Sequence, residues 1–426
     1  MRTVSLEHIA RIEGHLNFTV IVKDKGVIEA KAEALEGTRL LERLLIGKSY
    51  LEVPDIVSRM CGVCQAIHRL TSVQALESAF GITLPEELEK LRKIVAIGGH
   101  LQSHILHLFM FVLPDFMGYR NVLEMLPEHG SLVSKAFRLK KIANDITEAV
   151  GGRAIHPVTP VVGGFSKLPS RRALEVSLNR AREFKKLAEE LLPSILSLEM
   201  PEFERKTRYV SLYHGGEFPL LRGSVKVSEG WSFKPLEYEE HIEYITERYS
   251  TARHYVLKEG KAEYMVGALA RVNINYDFLS DTAKAAAETY GLKYPNYSPF
   301  ENNKAQALEI LHFADEMVDL IEDVLFRPAK SEKVDFKVKA GEGISITEAP
   351  RGLLIHHYKV DGRGRLEEAN IITPTAQNYK NMEADLAAYT AKLIPNGVED
   401  LEFELKKLIR AYDPCVSCSA RFFREH

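Results

Sequence analysis

Cysteine, glutamine and net charge are all in short supply in this sequence, and each shortage narrows what the chain can do. Four cysteines in 426 residues cannot build a disulfide scaffold. A formal net charge of −3, from 56 basic and 59 acidic side chains, leaves no electrostatic footprint for nucleic acid or an anionic membrane. No Gly-x-Gly-x-x-Gly occurs, so nothing marks a dinucleotide-binding turn. The first residues lack a basic segment followed by an apolar one, so no signal peptide is expected and the chain reads as cytoplasmic. The most apolar stretch, 105–117, is too short and too His-flanked to span a bilayer. Only five Gln stand among many Glu, Lys and Arg, a bias that hints at a thermophile. Internal repeats and low-complexity linkers are also missing.

What is present is an ordinary globular composition, 45% hydrophobic and 27% charged, long enough to bury a large core. Length alone would suggest two or three domains. Alternation predicts an opening hairpin, 17–22 and 27–35, around a turn at 24–26. Apolar spacing then predicts helices over 38–46, after Cys64, and over 86–113, 128–150 and 171–198. Short Tyr/Val runs broken by Gly and Pro make 207–238 a β-rich excursion. Helices are expected again near 239–259, 280–290 and 303–326. A second mixed segment follows at 333–375, and a last helix over 398–411 leads to the C-terminus. The fold class expected is mainly α, built on long helices, with small β elements at the edges.

The four cysteines form two CxxC pairs, Cys61/Cys64 and Cys415/Cys418, at opposite ends of the chain. Converging thiolates make a strong site for a transition metal. A zinc ribbon would place its pairs some 15–20 residues apart, whereas these are separated by about 350 residues. A redox CxxC would need a βαβ context that neither pair has. His68, four residues after Cys64, falls on the same helical face and could donate a hydrogen bond to that thiolate. Arg11-Ile12-Glu13-Gly14-His15 sets a carboxylate just before a strand, and Glu348-Ala349-Pro350-Arg351-Gly352 fixes an Arg between Pro and Gly. Taken alone, each suits an exposed surface loop better than a site. His100, His104 and His107 share helical spacing but lack companion carboxylates, so they read as packed core histidines.

Arg59-x-Cys61-Gly62-x-Cys64-x3-His68 together with Asp413-Pro414-Cys415-x-x-Cys418 resembles the large subunit of nickel–iron hydrogenases. The likeness runs end to end through Arg11–His15, Arg39-Leu40-Leu41-Glu42, Gly151-Gly152-Arg153 with His156-Pro157, Ala349–Gly352 and Thr373-Pro374-Thr375-Ala376-Gln377-Asn378. It is nearest to the cytoplasmic bidirectional sulfhydrogenases of hyperthermophilic archaea. The resemblance implies a single large-subunit domain over 1–426 around a long central helix bundle. It implies that all four thiolates bind nickel, Cys61 and Cys415 terminally, with Cys64 and Cys418 bridging to an iron that carries carbon monoxide and cyanide. Arg351 and Thr375 would face those ligands, Asp413 would orient Arg351, and a magnesium ion would use Glu42 and the Ile371 carbonyl.

Two departures stand out. Gln102-Ser103-His104 replaces a His-Asp-His segment, so an aspartate that helps hold the active-site Arg in relatives is missing. Ser419-Ala420-Arg421 follows Cys418 where many relatives carry a His at the third position, which puts the magnesium site in question. In relatives a maturation protease trims the chain after that position, which here would remove 422–426.

The implied chemistry is reversible heterolytic cleavage of dihydrogen, with Cys415 accepting the proton and Glu13 relaying it to solvent. Arg351 is the rival base, but its pKa, above ~12, suits a fixed positive charge better. With all four cysteines committed, none is left for an iron–sulfur cluster. Electrons must therefore leave through a small iron–sulfur subunit. By resemblance they continue through flavin and iron–sulfur subunits that reach NADP. The alternatives are a large subunit serving a deazaflavin or a disulfide reductase, a hydrogen sensor, against which the 422–426 extension argues, and a zinc-stabilised structural subunit.

Overall fold

The computed structural model describes residues 2–6, 9–22, 28–34, 41–396 and 400–419. The expected turn at 24–26, the start of the 38–46 helix and the tail 422–426 lie outside them.

Four long helices, Glu86–Ile105, Leu126–Gly151, Arg171–Leu191 and Asn302–Phe326, pack in a closed ring, each against two neighbours. The Arg171–Leu191 helix shows why. Its buried residues are Leu174, Ser177, Ala181, Phe184, Ala188 and Leu191, a 3-4 spacing that forms one seam, while its charged residues face water. Ser170 caps it by accepting from the Ala173 N–H at 3.2 Å. The Glu86–Ile105 helix is instead buried on nearly all sides beyond Leu91. A Cβ on Gly98 would lie 2.2 Å from Thr147 Oγ1, so glycine there lets the Leu126–Gly151 helix approach. This helix continues through a π-helical stretch, Leu106–Val112, into Leu113–Phe116. The run Glu86–Phe116 is long and apolar enough to cross a membrane, but 89% of its apolar window is buried inside the protein.

Beside the bundle, the helix that follows the first CxxC, Gln65–Phe80, lies on a three-stranded antiparallel sheet of Gly341–Ala349, Gly352–Val360 and Leu366–Ile372. Contact is so close that a Cβ on Gly343 would sit 2.1 Å from the Ala75 carbonyl oxygen. The tight reversal between Ala349 and Gly352 holds Pro350 and Arg351, with Gly352 at φ 125°. The sheet leads into the Pro374–Leu393 helix, which packs on the N-terminal three-stranded sheet Arg2–Leu6, Leu16–Val22 and Ile28–Ala34.

The expected β-rich 207–238 segment contains strands Arg208–Tyr213, Ser224–Val227 and Ser232–Phe233. The helix expected at 239–259 is a correction. Only Tyr238–His241 is helical, and Ile242–Thr246 pairs with Arg253–Leu257 as an antiparallel hairpin. Glu239, Glu240, Glu243 and Glu247 imitate a solvated helix face, but the Ile-, Tyr- and Val-rich content belongs to strands. Helices Ala268–Asn275 and Pro374–Leu393 are further elements that periodicity did not separate.

Candidate metal centre

Cys61 lies in the loop between the Val53–Ser58 and Gln65–Phe80 helices, and Cys64 stands immediately before the first residue of the second. Cys415 and Cys418 sit where the chain leaves the Leu401–Ala411 helix for the short turn Val416–Ser419. All four are buried and free, and their sulfurs lie within 4.8 Å of one another. Sγ separations are 3.3 Å for Cys61–Cys415, 3.6 Å for Cys64–Cys418 and 3.0 Å for Cys415–Cys418. Backbone N–H groups of Val63 and Cys64 point at Cys61 Sγ at 3.2 and 3.3 Å. Contact with the other three thiols holds the Cys61 pKa down, while burial pushes Cys415 and Cys418 well up. Four thiolates in one enclosed space need a cation, and an all-sulfur donor set suits nickel, iron or zinc rather than a hard ion.

Glu13 meets this cluster from the N-terminal side. Its N–H reaches the Pro414 carbonyl at 3.4 Å and its own carbonyl accepts from the Val416 N–H at 2.9 Å, a parallel bridge between the two ends of the chain. Glu13 Oε2 accepts from Cys415 Sγ and from the Ser417 N–H, both at 3.1 Å. Glu13 is only half-buried, whereas the four cysteines are buried.

Arg351 closes another side. It donates through Nη2 to Asp413 Oδ1 at 2.7 Å, through Nε to the Asp413 carbonyl at 2.6 Å, and through Nη1 to Ser103 Oγ at 3.3 Å. Ser103 thus occupies the place where the sequence departs from the His-Asp-His pattern. Although burial opposes its charge, Asp413 and the nearby thiols keep the guanidinium pKa well above its usual value. Thr375 Oγ1 accepts from the Cys415 N–H at 2.9 Å. His68 is fully buried with Nδ1 3.3 Å from His356 Nε2, and His356 in turn contacts the Tyr358 hydroxyl at 2.6 Å.

Glu42 Oε1 accepts from the Ile371 N–H at 3.0 Å. Both line a cavity of about 10 Å³, the size of one water, together with Arg253, Thr373 and Ser419. Glu42 is the only carboxylate among the described residues lining it, short of the six oxygens magnesium takes, and Arg253 adds a positive charge. These donors do not by themselves fit magnesium.

Sequence reasoning missed the layer behind the site. Arg271, on the Ala268–Asn275 helix, is fully buried and donates to Glu309, Glu348 and the carbonyls of Ala349 and Pro350. His104 Nε2 pairs with Glu309 at 2.8 Å, and His107 Nδ1 with Gln306 Oε1 at 2.6 Å, so the three histidines pack as core. Gln306 Nε2 donates to Asp413 Oδ2 at 3.2 Å. One signal was available: all five of the rare glutamines are buried.

The sequence matches the family model described as nickel-dependent hydrogenase over residues 39–136 and 226–421. It is 37% identical to the alpha chain of sulfhydrogenase 1 from Pyrococcus furiosus over 99% of this chain and 98% of that one. To an F420-non-reducing hydrogenase subunit of Methanothermobacter thermautotrophicus it is 31% identical, over 98% of this chain and 94% of that one. Among solved structures, an NAD+-reducing [NiFe]-hydrogenase in its H2-reduced state superposes with a TM-score of 0.89 at 28% identity, covering 99% of this chain and 100% of the other. A mainly helical fold, two end-to-end CxxC pairs meeting in one buried cluster, and these relatives agree: the chain belongs to the nickel-dependent hydrogenase family, as a large subunit that activates dihydrogen.

Proposed function

We propose that Glu13 is the proton outlet of the site and Cys415 its first acceptor. The supporting observation is the 3.1 Å contact between Cys415 Sγ and Glu13 Oε2, made by a carboxylate that is itself partly open. Cys61, Cys64, Cys415 and Cys418 would hold nickel and an iron bearing carbon monoxide and cyanide, which would supply the electrophile that polarises dihydrogen and accepts its electron pair. Cleavage is heterolytic: the H–H bond breaks, one nucleus leaves as a proton for Cys415 Sγ, and that proton passes to Glu13 Oε2. The Ser417 N–H on the same oxygen keeps the carboxylate aimed at the sulfur. Arg351, anchored twice on Asp413, is a fixed cation over the site rather than a base. The two electrons would then pass to a small subunit carrying iron–sulfur clusters, and the second hydrogen nucleus would leave as a proton by the same Cys415–Glu13 route. The NAD+-reducing [NiFe]-hydrogenase that superposes on this chain supports partner subunits that reach a nicotinamide acceptor such as NADP, over a deazaflavin or disulfide-reductase partner. The four free, closely spaced thiols suit the reducing cytoplasm.

Glu13→Gln tests the outlet. The variant is expected to keep its nickel and iron while losing exchange between D2 and water. Exchange at the wild-type rate would remove Glu13 from the proton path. Subunits that co-purify with the chain identify the acceptor.

A further inference from the structure

The two chain segments that meet at the outlet, 10–13 and 410–415, are also joined some way back, by a carboxylate from a third element. Asp115 lies in the short helix Leu113–Phe116 that follows the π-helical stretch, with its side chain 1% exposed. Its Oδ1 accepts from Arg11 Nη2, and its Oδ2 from Arg410 Nε at 2.5 Å. Arg11 Nη1 also donates to the Phe111 carbonyl at 2.7 Å, and Arg410 Nη1 to the Ala10 carbonyl at 3.2 Å. Arg11 is two residues before Glu13, and Arg410 five before Cys415. Both segments turn through a left-handed residue that is not glycine, Arg11 at φ 62° and Asp413 at φ 51°. Such conformations persist only where the surroundings hold them.

Resting on the proposed role of Glu13, we infer that Asp115 is a positioning residue for the proton outlet: it clamps Arg11 and Arg410 so that Glu13 and Cys415 stay within hydrogen-bond reach. One buried anion between two guanidiniums balances only part of their charge, and the carbonyls of Phe111 and Ala10 take further donors. The backbone bridge Glu13–Pro414 and Val416–Glu13 then sets the last ångström. A misplacement of ~1 Å can cost a reaction on the order of 100-fold, so the clamp bears directly on proton transfer while touching neither metal ligand.

The test uses the purified complex, with D2 supplied over ordinary water. Slower proton escape lowers the H2-to-HD product ratio, because a trapped deuteron recombines before it is replaced. A mere loss of loaded sites lowers the total rate and leaves that ratio alone. Asp115→Asn is expected to keep its nickel and iron per chain, to cut exchange by about 10- to 100-fold, and to lower the ratio. Hydrogen exchange read by mass spectrometry is expected to speed up at the Glu13 and Val416 amides. Arg11→Lys, which keeps the charge but not the fork, serves if Asp115→Asn does not fold and is expected to shift both readouts the same way. An unchanged ratio with unchanged amide protection, in a complex where Glu13→Gln does abolish exchange, overturns the clamp. Exchange at the wild-type rate in Glu13→Gln overturns the outlet and this inference with it.

Discussion

Arg271→Lys probes how firmly the Arg351 turn is seated. Arginine has five N–H donors, and Arg271 uses every one. Nε and Nη2 reach Glu309 at 2.6 and 2.7 Å, Nη1 reaches Glu348 at 3.0 Å, and Nη1 and Nη2 reach the Ala349 and Pro350 carbonyls at 2.9 Å. Against the cost of burial, Arg271 and His104 hold Glu309 down at about 2, so that carboxylate stays charged. Lysine offers three donors from a single point, which leaves at least two of the five acceptors without a partner. Each costs about 1–3 kcal/mol when buried, and breaking into a buried ion pair costs about 3–5 kcal/mol, so about 4 kcal/mol is expected. At ~2.1 cal/mol/K per residue, that is a fall of about 4–5 °C in melting temperature. Melting of wild-type and variant complexes in one buffer measures it. The carbonyls released are those just before Arg351, so its contacts with Asp413 should loosen too, with faster amide exchange at 349–352. A loss below about 1 kcal/mol would refute the reasoning, because the five bonds would then contribute no more than one ordinary hydrogen bond.

Removing the metals unties Cys61 from Cys415, 354 positions apart; in the chain-entropy picture such a cross-link is worth about 6 kcal/mol. The metal-free complex should unfold at lower urea, and protease should cut it first within 413–419. Gly343→Ala should prevent stable folding, since its Cβ would meet the backbone of Ala75 and Ala79 at 2.1 and 2.3 Å; Gly62→Ala, with nothing within 4 Å, should melt as wild type. Acid should destabilise the protein, because burial holds His100 and His254 near about 3 and His312 near about 4. The unfolded chain then binds more protons below about pH 6.5, so stability is full above that value and falls as pH drops, by about 3–5 kcal/mol per His once the folded values are passed. Glu348, pushed up to about 7 by burial, works in the opposite direction between about 4.3 and 7, and so do Glu301, Glu316, Glu383 and Asp385, which burial also raises. Urea midpoints from pH 4 to pH 8 check the sign.

The sequence made the metal ligands and the long helices legible for different reasons. CxxC spacing carries its own chemistry, so Cys61, Cys64, Cys415 and Cys418 needed no tertiary information. The Arg171–Leu191 helix announces itself because one face is wet, which writes a 3-4 pattern into the residues. Where both faces are covered, or the acidic residues fall at helical spacing by chance, the pattern fails. Ile242–Thr246 and Arg253–Leu257 escape it for the second reason. The supports behind the site were illegible because they are long-range polar pairs. Nothing at Asp115 points to Arg11 and Arg410, which lie 104 and 295 positions away. The same holds for Arg271 with Glu309 and Glu348.

Those supports separate the two charged groups of the site into different mechanical classes. Arg351 is held at three nitrogens, its turn is pinned from behind by Arg271, and Gln306 fixes the carboxylate it binds. A charge so constrained has nowhere to move and, with its pKa raised, no proton to give. In the proposed mechanism it would bias the site electrostatically, as a preorganised cation does. Glu13 is held by its backbone and by one carboxylate oxygen, leaving Oε1 outside these contacts. In the proposed mechanism that arrangement would let Glu13 hand a proton outward while Oε2 stays aimed at sulfur. Substitution of Arg351 and of Glu13 should therefore fail differently, the first by altering the electronic state of the bound metals and the second by trapping the proton beside Cys415.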